Sequence, residues 1–206
     1  ANNTGTIYYH EKNYEGAMKQ FEQSRLMLEK FNDDPSFMAL VKSNIGEVLV
    51  DQKKYKEAEK WLLESLRMGT EQKNNRQLYL SNLIYGRLQS NRQNYALAEK
   101  HFKTADSLLA LGGEKTVTIQ LLEAWGRMLV NNHQTARAEK KVTECIILSD
   151  QIQYRNYAWK AYGTLAEIEL SKNNTAKGIN YLKTAIQEVE KIKSKITDSE
   201  AKKIFS

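Results

Sequence analysis

The chain has 206 residues, 41% of them apolar, with one proline and ten glycines, a balance that disfavours an all-β or loop-rich protein and suits one helical domain or an elongated array. Its 31 basic and 25 acidic residues leave a formal charge of +6, with no arginine-rich run and no aromatic residue set among clustered bases, so charge gives no indication of nucleic-acid binding. One cysteine, Cys145, excludes an internal disulfide, and no apolar stretch approaches the ~18 residues of a membrane-spanning helix.

Leu, Ala, Glu, Lys and Gln dominate, and the whole chain is expected to be helical. In chain order, the pattern predicts helices near 1–11 and 14–31, then 35–52 and 55–71, then 76–91 and 95–111. Two more pairs follow near 115–131 and 135–152, and near 156–171 and 175–195. Asp34-Pro35 is a start signal, an acidic cap followed by proline in the first turn. Gly112-Gly113 is a stop signal after the third pair. The first helix starts only four residues before Gly5 and is expected to be short; Ala1 in place of methionine suggests a processed or excised region.

These pairs repeat. Tyr14-Glu15-Gly16-Ala17, Tyr55-Lys56-Glu57-Ala58, Tyr95-Ala96-Leu97-Ala98 and Thr135-Ala136-Arg137-Ala138 are successive copies of one motif, and Thr175-Ala176-Lys177-Gly178 is a degenerate fifth. The closing small residues are separated by 41, 40, 40 and 40 positions. Twelve residues before each stands Gly5, Gly46, Gly86, Gly126 or Ala166. Four residues after each stands Phe21, Leu62, Phe102, Val142 or Leu182, and three further on Ser24, Ser65, Ala105, Cys145 or Ala185. A glycine inside a helix costs about 1 kcal/mol relative to alanine. Its recurrence calls for a compensating gain, which close approach of two helices supplies. A single helix pair cannot bury its apolar face, whereas stacked pairs can.

The order of small residue, tyrosine, alanine and large apolar residue resembles the tetratricopeptide repeat over nearly the whole chain. The resemblance implies an all-α, right-handed α-α superhelix, a solenoid of about five helix pairs. Repeats would lie near 1–33, 34–74, 75–113, 114–153 and 154–193. The 40-residue period departs from the usual ~34. It would add roughly 9 Å of helix to each pair. HEAT and armadillo arrays have a similar period, but the small-residue register fits tetratricopeptide packing better.

In such solenoids the first helix of each pair lines a groove that takes a protein or peptide. By that resemblance the groove here holds Tyr9, Glu47, Val50, Arg87, Asn91, Arg127, Asn131, Glu167 and Leu170. Arg87 and Arg127 are equivalent, as are Asn91 and Asn131. Asparagine can pair with a peptide backbone, and arginine can clamp a carboxylate through two parallel bonds. The candidate binding set is therefore Tyr9, Glu47, Arg87, Asn91, Arg127 and Asn131, on a chain expected to bind polypeptide and not to be an enzyme. Self-association into a homodimer is the alternative. The asparagine set with which some chaperone-tail-binding repeats grip a terminal carboxylate is not matched.

No metal or cofactor is expected. His10, His101 and His133 show no metal-ligand spacing and are read as solvent-exposed. Cys145, in a place held by Ser or Ala elsewhere, is read as a small core residue. Trp61, Trp125 and Trp159 are read as packing residues. Residues 191–206 hold five lysines against two acids. Thr197 and Glu200 have capping-box spacing, so a capping or linker helix is expected over 194–206, restarting near Asp198. The tail Lys191-Ile-Lys-Ser-Lys-Ile-Thr-Asp-Ser-Glu-Ala-Lys-Lys-Ile is similar to one in Bacteroidetes-type signalling proteins. There a long-period array precedes a histidine kinase or a transcriptional regulator. That implies a sensory or scaffold region on the periplasmic side of a membrane-anchored protein; the alternative setting is cytoplasmic.

Overall fold

A computed structural model of the chain describes residues 2–31 and 34–204, with side chains as far as 194. The described residues form ten α-helices and no strand. They fall into two compact units, divided after Gly113.

The first unit holds three helix pairs: α1 (Asn2–His10) with α2 (Tyr14–Phe31), α3 (Pro35–Asp51) with α4 (Tyr55–Glu71), and α5 (Asn75–Asn91) with α6 (Tyr95–Leu109). α3 also packs on α1, α2 and α5, and α4 on α5, so the pairs stack side by side. Phe21, Ile45, Val48, Leu62 and Leu88 are buried in its core. The second unit holds α7 (Lys115–Asn131) with α8 (Thr135–Gln151) and α9 (Ala158–Ser171) with α10 (Thr175–Ile204). α9 packs on α7 and α8, around Ile119, Leu122, Val142, Cys145 and Leu165.

The predicted punctuation is present. Asp34 accepts a bond from the Ser36 amide at 2.8 Å, with Pro35 in the first turn of α3. After α6 the Gly113 amide bonds the Leu109 carbonyl at 2.7 Å, beside Gly112 at φ +103°. One difference lies at the tail. α10 runs unbroken to Ile204, with no restart near Asp198. No glycine or proline interrupts residues 189–204, so the helix propagates. The Thr197 and Glu200 side chains lie outside the described ones.

Each turn inside a pair is built the same way, by a residue in the left-handed region: Lys12, Lys53, Gln93, His133 and Asn173, all at φ between 56° and 63°. At Gln93 the amide bonds Ser90 O at 2.9 Å and the next amide, Asn94, bonds Gln89 O at 2.8 Å. The same pair of bonds recurs at the other four turns. It closes the first helix by satisfying carbonyls that helix geometry leaves open. The chain then reverses at once and lays the second helix on the first, which fixes the face the first helix leaves outward.

Candidate functional site

Two register positions define that face. One follows the repeat's small residue directly and is held by Thr6, Glu47, Arg87, Arg127 and Glu167. The other lies four residues later, one turn along the helix, and is held by His10, Asp51, Asn91, Asn131 and Ser171. Asn91, Arg127, Asn131 and Glu167 are exposed, whereas Glu47, Asp51 and Arg87 are half-buried. Val50, expected on this face, is instead buried with Val48 and Leu49 at the end of α3, where it closes the core. Leu170, its equivalent on α9, is exposed.

In the first unit the expected ligand-gripping groups hold one another. Arg87 of α5 donates from Nη1 to Glu47 Oε1 at 2.5 Å and from Nη2 to Asp51 Oδ1 at 2.7 Å, both on α3. The Tyr9 hydroxyl of α1 donates to Asp51 Oδ2 at 2.7 Å. Three successive first helices are thus tied by one polar cluster. Burial, the largest influence, pulls the Arg87 pKa down, but Glu47, Tyr9 and Asp51 outweigh it and hold the guanidinium well above its usual value. Burial, then the charge of Glu47, drives the Tyr9 hydroxyl far upward. Arg87 therefore does not present both its amino groups to a ligand carboxylate, because each is already bonded. Asp51 was not singled out from sequence, although it shares its register position with Asn91 and Asn131.

In the second unit Arg127 is more open, its side chain 48% exposed. Its Nε lies 3.2 Å from Glu123 Oε1, four residues earlier on α7, and its Nη2 donates to Thr164 Oγ1 on α9 at 3.3 Å. Both bonds are long for a charged donor. Asn131 is exposed one turn further on, and Glu167 is exposed on α9.

Other polar features also repeat. Ser65 Oγ donates to Ala39 O at 2.8 Å, and Cys145 Sγ approaches Ile119 O at 3.5 Å. The two pairs are register equivalents. At Ser65 and Cys145 the small residue of this series is thus a hydrogen-bond donor as well as a spacer. Glu59 pairs with Arg92 at 2.8 Å and Glu139 with Lys172 at 2.9 Å, again in equivalent places. Of the three histidines, His10 and His133 are exposed. His101 departs from the exposed reading: its Nδ1 lies 2.7 Å from Asn82 Oδ1, and its ring packs on Tyr85. Burial, then Lys100, lowers its pKa. Trp125 is buried and Trp159 partly exposed. Among the described residues no group of three or more His, Cys, Asp or Glu is placed to hold a metal ion, and no helix is long and apolar enough to cross a membrane.

Residues 39–72, the body of the second helix pair, match the tetratricopeptide repeat family. The chain is built from tetratricopeptide-like repeats. Solved structures with such folds superpose on it. A Rap protein complexed with Competence and Sporulation Factor gives a TM-score of 0.83 at 15% identity, covering 90% of this chain and 52% of that one. The apo form of RapI gives 0.68 at 14% identity, over 94% of this chain and 83% of the other. A kinesin light chain from Podosopora anserina with nearly identical TPR-like repeats gives 0.66 at 10% identity, over 94% of each. This repeat chain therefore spans about half the length of the Rap protein and most of the other two. At these identities the likeness is one of fold. No curated protein matches the chain in sequence.

Proposed function

We propose that this chain binds another polypeptide, non-catalytically, through the outward faces of its first helices. The observation that carries the reading is the pair Arg127 and Asn131. They stand one turn apart on α7, both exposed, and the two hydrogen bonds of Arg127 are long. A donor fork beside an amide suits a peptide carboxylate and backbone. The Rap protein of like fold is found complexed with Competence and Sporulation Factor, which supports the reading. In the first unit Asn91 holds the register position equivalent to Asn131, and Tyr9, Glu47 and Arg87 shape the first-helix face of that unit through their mutual bonds. The setting we infer is the sensory or scaffold part of a larger signalling protein, outside the cytoplasm; its support is the likeness of the tail from Lys191 onward.

The test is selection of peptides from a displayed random library against the immobilised chain, followed by calorimetric titration of the winners. Arg127→Ala and Asn131→Ala are each expected to weaken binding at least about tenfold, or ~1.4 kcal/mol. Lys56→Ala, on the exposed side of α4, should leave it unchanged. Selected peptides indifferent to both α7 substitutions would refute the assignment.

A further inference from the structure

α7 carries a buried charge where its counterparts carry none. The register position three residues before the repeat's small residue is held by Asn2, Ser43, Leu83, Glu123 and Gly163. Asn2, Ser43, Leu83 and Glu123 are all buried, and of the five only Glu123 is ionisable. Its side chain is 8% exposed. Its charge reaches Cys145 on α8, where it is the second cause of that thiol's raised pKa. A carboxylate taken out of water needs a close counter-charge. Arg127, one turn along the same helix, supplies it: Nε donates to Glu123 Oε1 at 3.2 Å.

Two demands therefore fall on one guanidinium. Arg127 is half exposed and is the group that meets a ligand, while Glu123 lies beneath it. Nε is taken by Glu123 and Nη2 by Thr164 Oγ1 at 3.3 Å; Nη1 takes part in neither bond. A ligand carboxylate that engages the two amino groups meets a cation already partly neutralised, close to a second carboxylate. One that draws Arg127 outward strands Glu123 in the core. Both effects oppose binding. Glu123 also orders Arg127 in advance, which favours binding, but fixing one side chain is a smaller effect than a like charge at close range. The first unit has no such contest. There Arg87 is bonded through both amino groups to Glu47 and Asp51, and the equivalent of Glu123 is the apolar Leu83.

We propose that Glu123 is an internal competitor for the ligand's carboxylate at Arg127. It holds the guanidinium in the unbound chain and lowers the affinity for an acid-bearing polypeptide. This rests on the reading that the α7 face binds polypeptide. It adds the ligand's chemistry, a carboxylate from an acidic side chain or a free chain end, and the residue that tunes its capture.

Peptides selected against the chain are synthesised in matched forms, with each acidic residue intact or replaced by its amide, and with the chain end free or amidated. Calorimetry then compares the chain with its Glu123→Gln and Glu123→Leu variants. The first keeps the shape and removes the charge; the second installs the residue type found at Leu83. Both should tighten the acid-bearing form about tenfold. The form lacking the critical carboxylate should change by less than about twofold. The amide replacement that removes the gain shows whether the carboxylate is a side chain or the chain end. Circular dichroism and urea unfolding check that both variants keep their fold, which loss of a buried charge permits. A gain shared by both forms would assign Glu123 to packing, and unchanged or weaker binding of the acid form would make it a support for Arg127; either overturns the proposal. Selected peptides that depend on Arg127 but carry no carboxylate overturn this inference alone. Peptides indifferent to Arg127→Ala overturn it together with the reading on which it rests.

Discussion

Leu170 sits over Gly178: a Cβ built on that glycine would stand 2.7 Å from Leu170 Cγ. In the first four copies the fit runs the other way. There the glycine is on the first helix, and the side chain that fills its space comes from the second: Phe21 over Gly5, Leu62 over Gly46, Phe102 over Gly86, Val142 over Gly126, with closest approaches of 2.5 to 2.6 Å. The fifth copy has exchanged its glycine and alanine, and the filling side chain has changed helix with them. Close approach of the two helices is kept, with knob and hole reversed.

The first prediction follows from the difference between these holes. Gly86→Ala places a methyl group 2.5 Å from the fully buried Phe102 ring. Such overpacking costs about 1–3 kcal/mol, against about 1 kcal/mol gained from helix propensity. A net loss of up to about 2 kcal/mol is expected in urea unfolding. Gly178→Ala meets Leu170 Cγ at 2.7 Å and the Ala166 carbonyl oxygen at 3.3 Å; because Leu170 is exposed and can turn away, the loss should be smaller than at Gly86. Gly163→Ala, in α9 with no heavy atom within 4 Å, should stabilise by about 0.5–1 kcal/mol. If Gly86→Ala also stabilised, glycine there would not be a packing requirement.

The turns give a second prediction. Lys53 and His133 hold φ values of 61° and 56°, where a side chain is strained by about 1 kcal/mol or more. Both are exposed, so their side chains contribute little that glycine would remove. Lys53→Gly and His133→Gly are each expected to raise stability by about 0.5–1 kcal/mol, less the extra freedom of glycine in the unfolded chain. Thermal unfolding of the two variants measures it, and a fall in midpoint would contradict the account.

Much of this fold was readable because the packing is periodic. The small residues at 17, 58, 98 and 138 and the glycines twelve positions earlier record one helix-to-helix distance, and that distance recurs in each pair. Nine helix starts fell within one residue of the expected position; α9 begins two later, at Ala158, after a turn at residues 156–157. The left-handed turns were not foreseen, since Lys, Gln and His carry none of the conformational signal of glycine there. The site was legible in position more than in state. Register placed Arg87 on the first-helix face, but its bonds to Glu47 and Asp51 depend on how two pairs stack, which a single helix pattern does not encode. Val50 failed for a related reason: what covers this place depends on how the neighbouring helices stack, since Val50 is buried and its equivalent Leu170 is exposed.

The buried thiol supports a third prediction. Cys145 is fully buried beside Ser149 and Ile119 O. Burial, then the charge of Glu123, pushes its pKa up to about 12. A thiol in that state is almost wholly protonated near neutral pH and shielded from reagent. Native protein at pH 8 should therefore react with a disulfide reagent only as fast as the second unit opens. The rate should rise steeply through the urea transition, and fast labelling without denaturant would count against the buried assignment.

The fourth prediction concerns Glu188, buried on α10 against Arg155. Burial, the largest influence, pushes its carboxyl up, but hydrogen bonds and charge from Arg155 and from Lys191, 3.0 Å away, outweigh it and leave the pKa below the usual glutamate range. A carboxyl depressed in the folded state contributes stability that is fully present above its unfolded pKa, about 4.3. That contribution is lost as pH falls through the lower folded value. Glu59 and Glu169 are shifted the same way, so the urea midpoint should fall as pH drops below about 4. Glu188→Gln should be less stable at pH 7 and show a shallower decline with acid. Arg155→Met leaves the buried carboxylate to Lys191 alone and is expected to cost about 3 kcal/mol at pH 7. That cost should shrink as pH falls and Glu188 takes up a proton. A cost that stayed constant with pH would mean that Arg155 acts through packing and not through its charge.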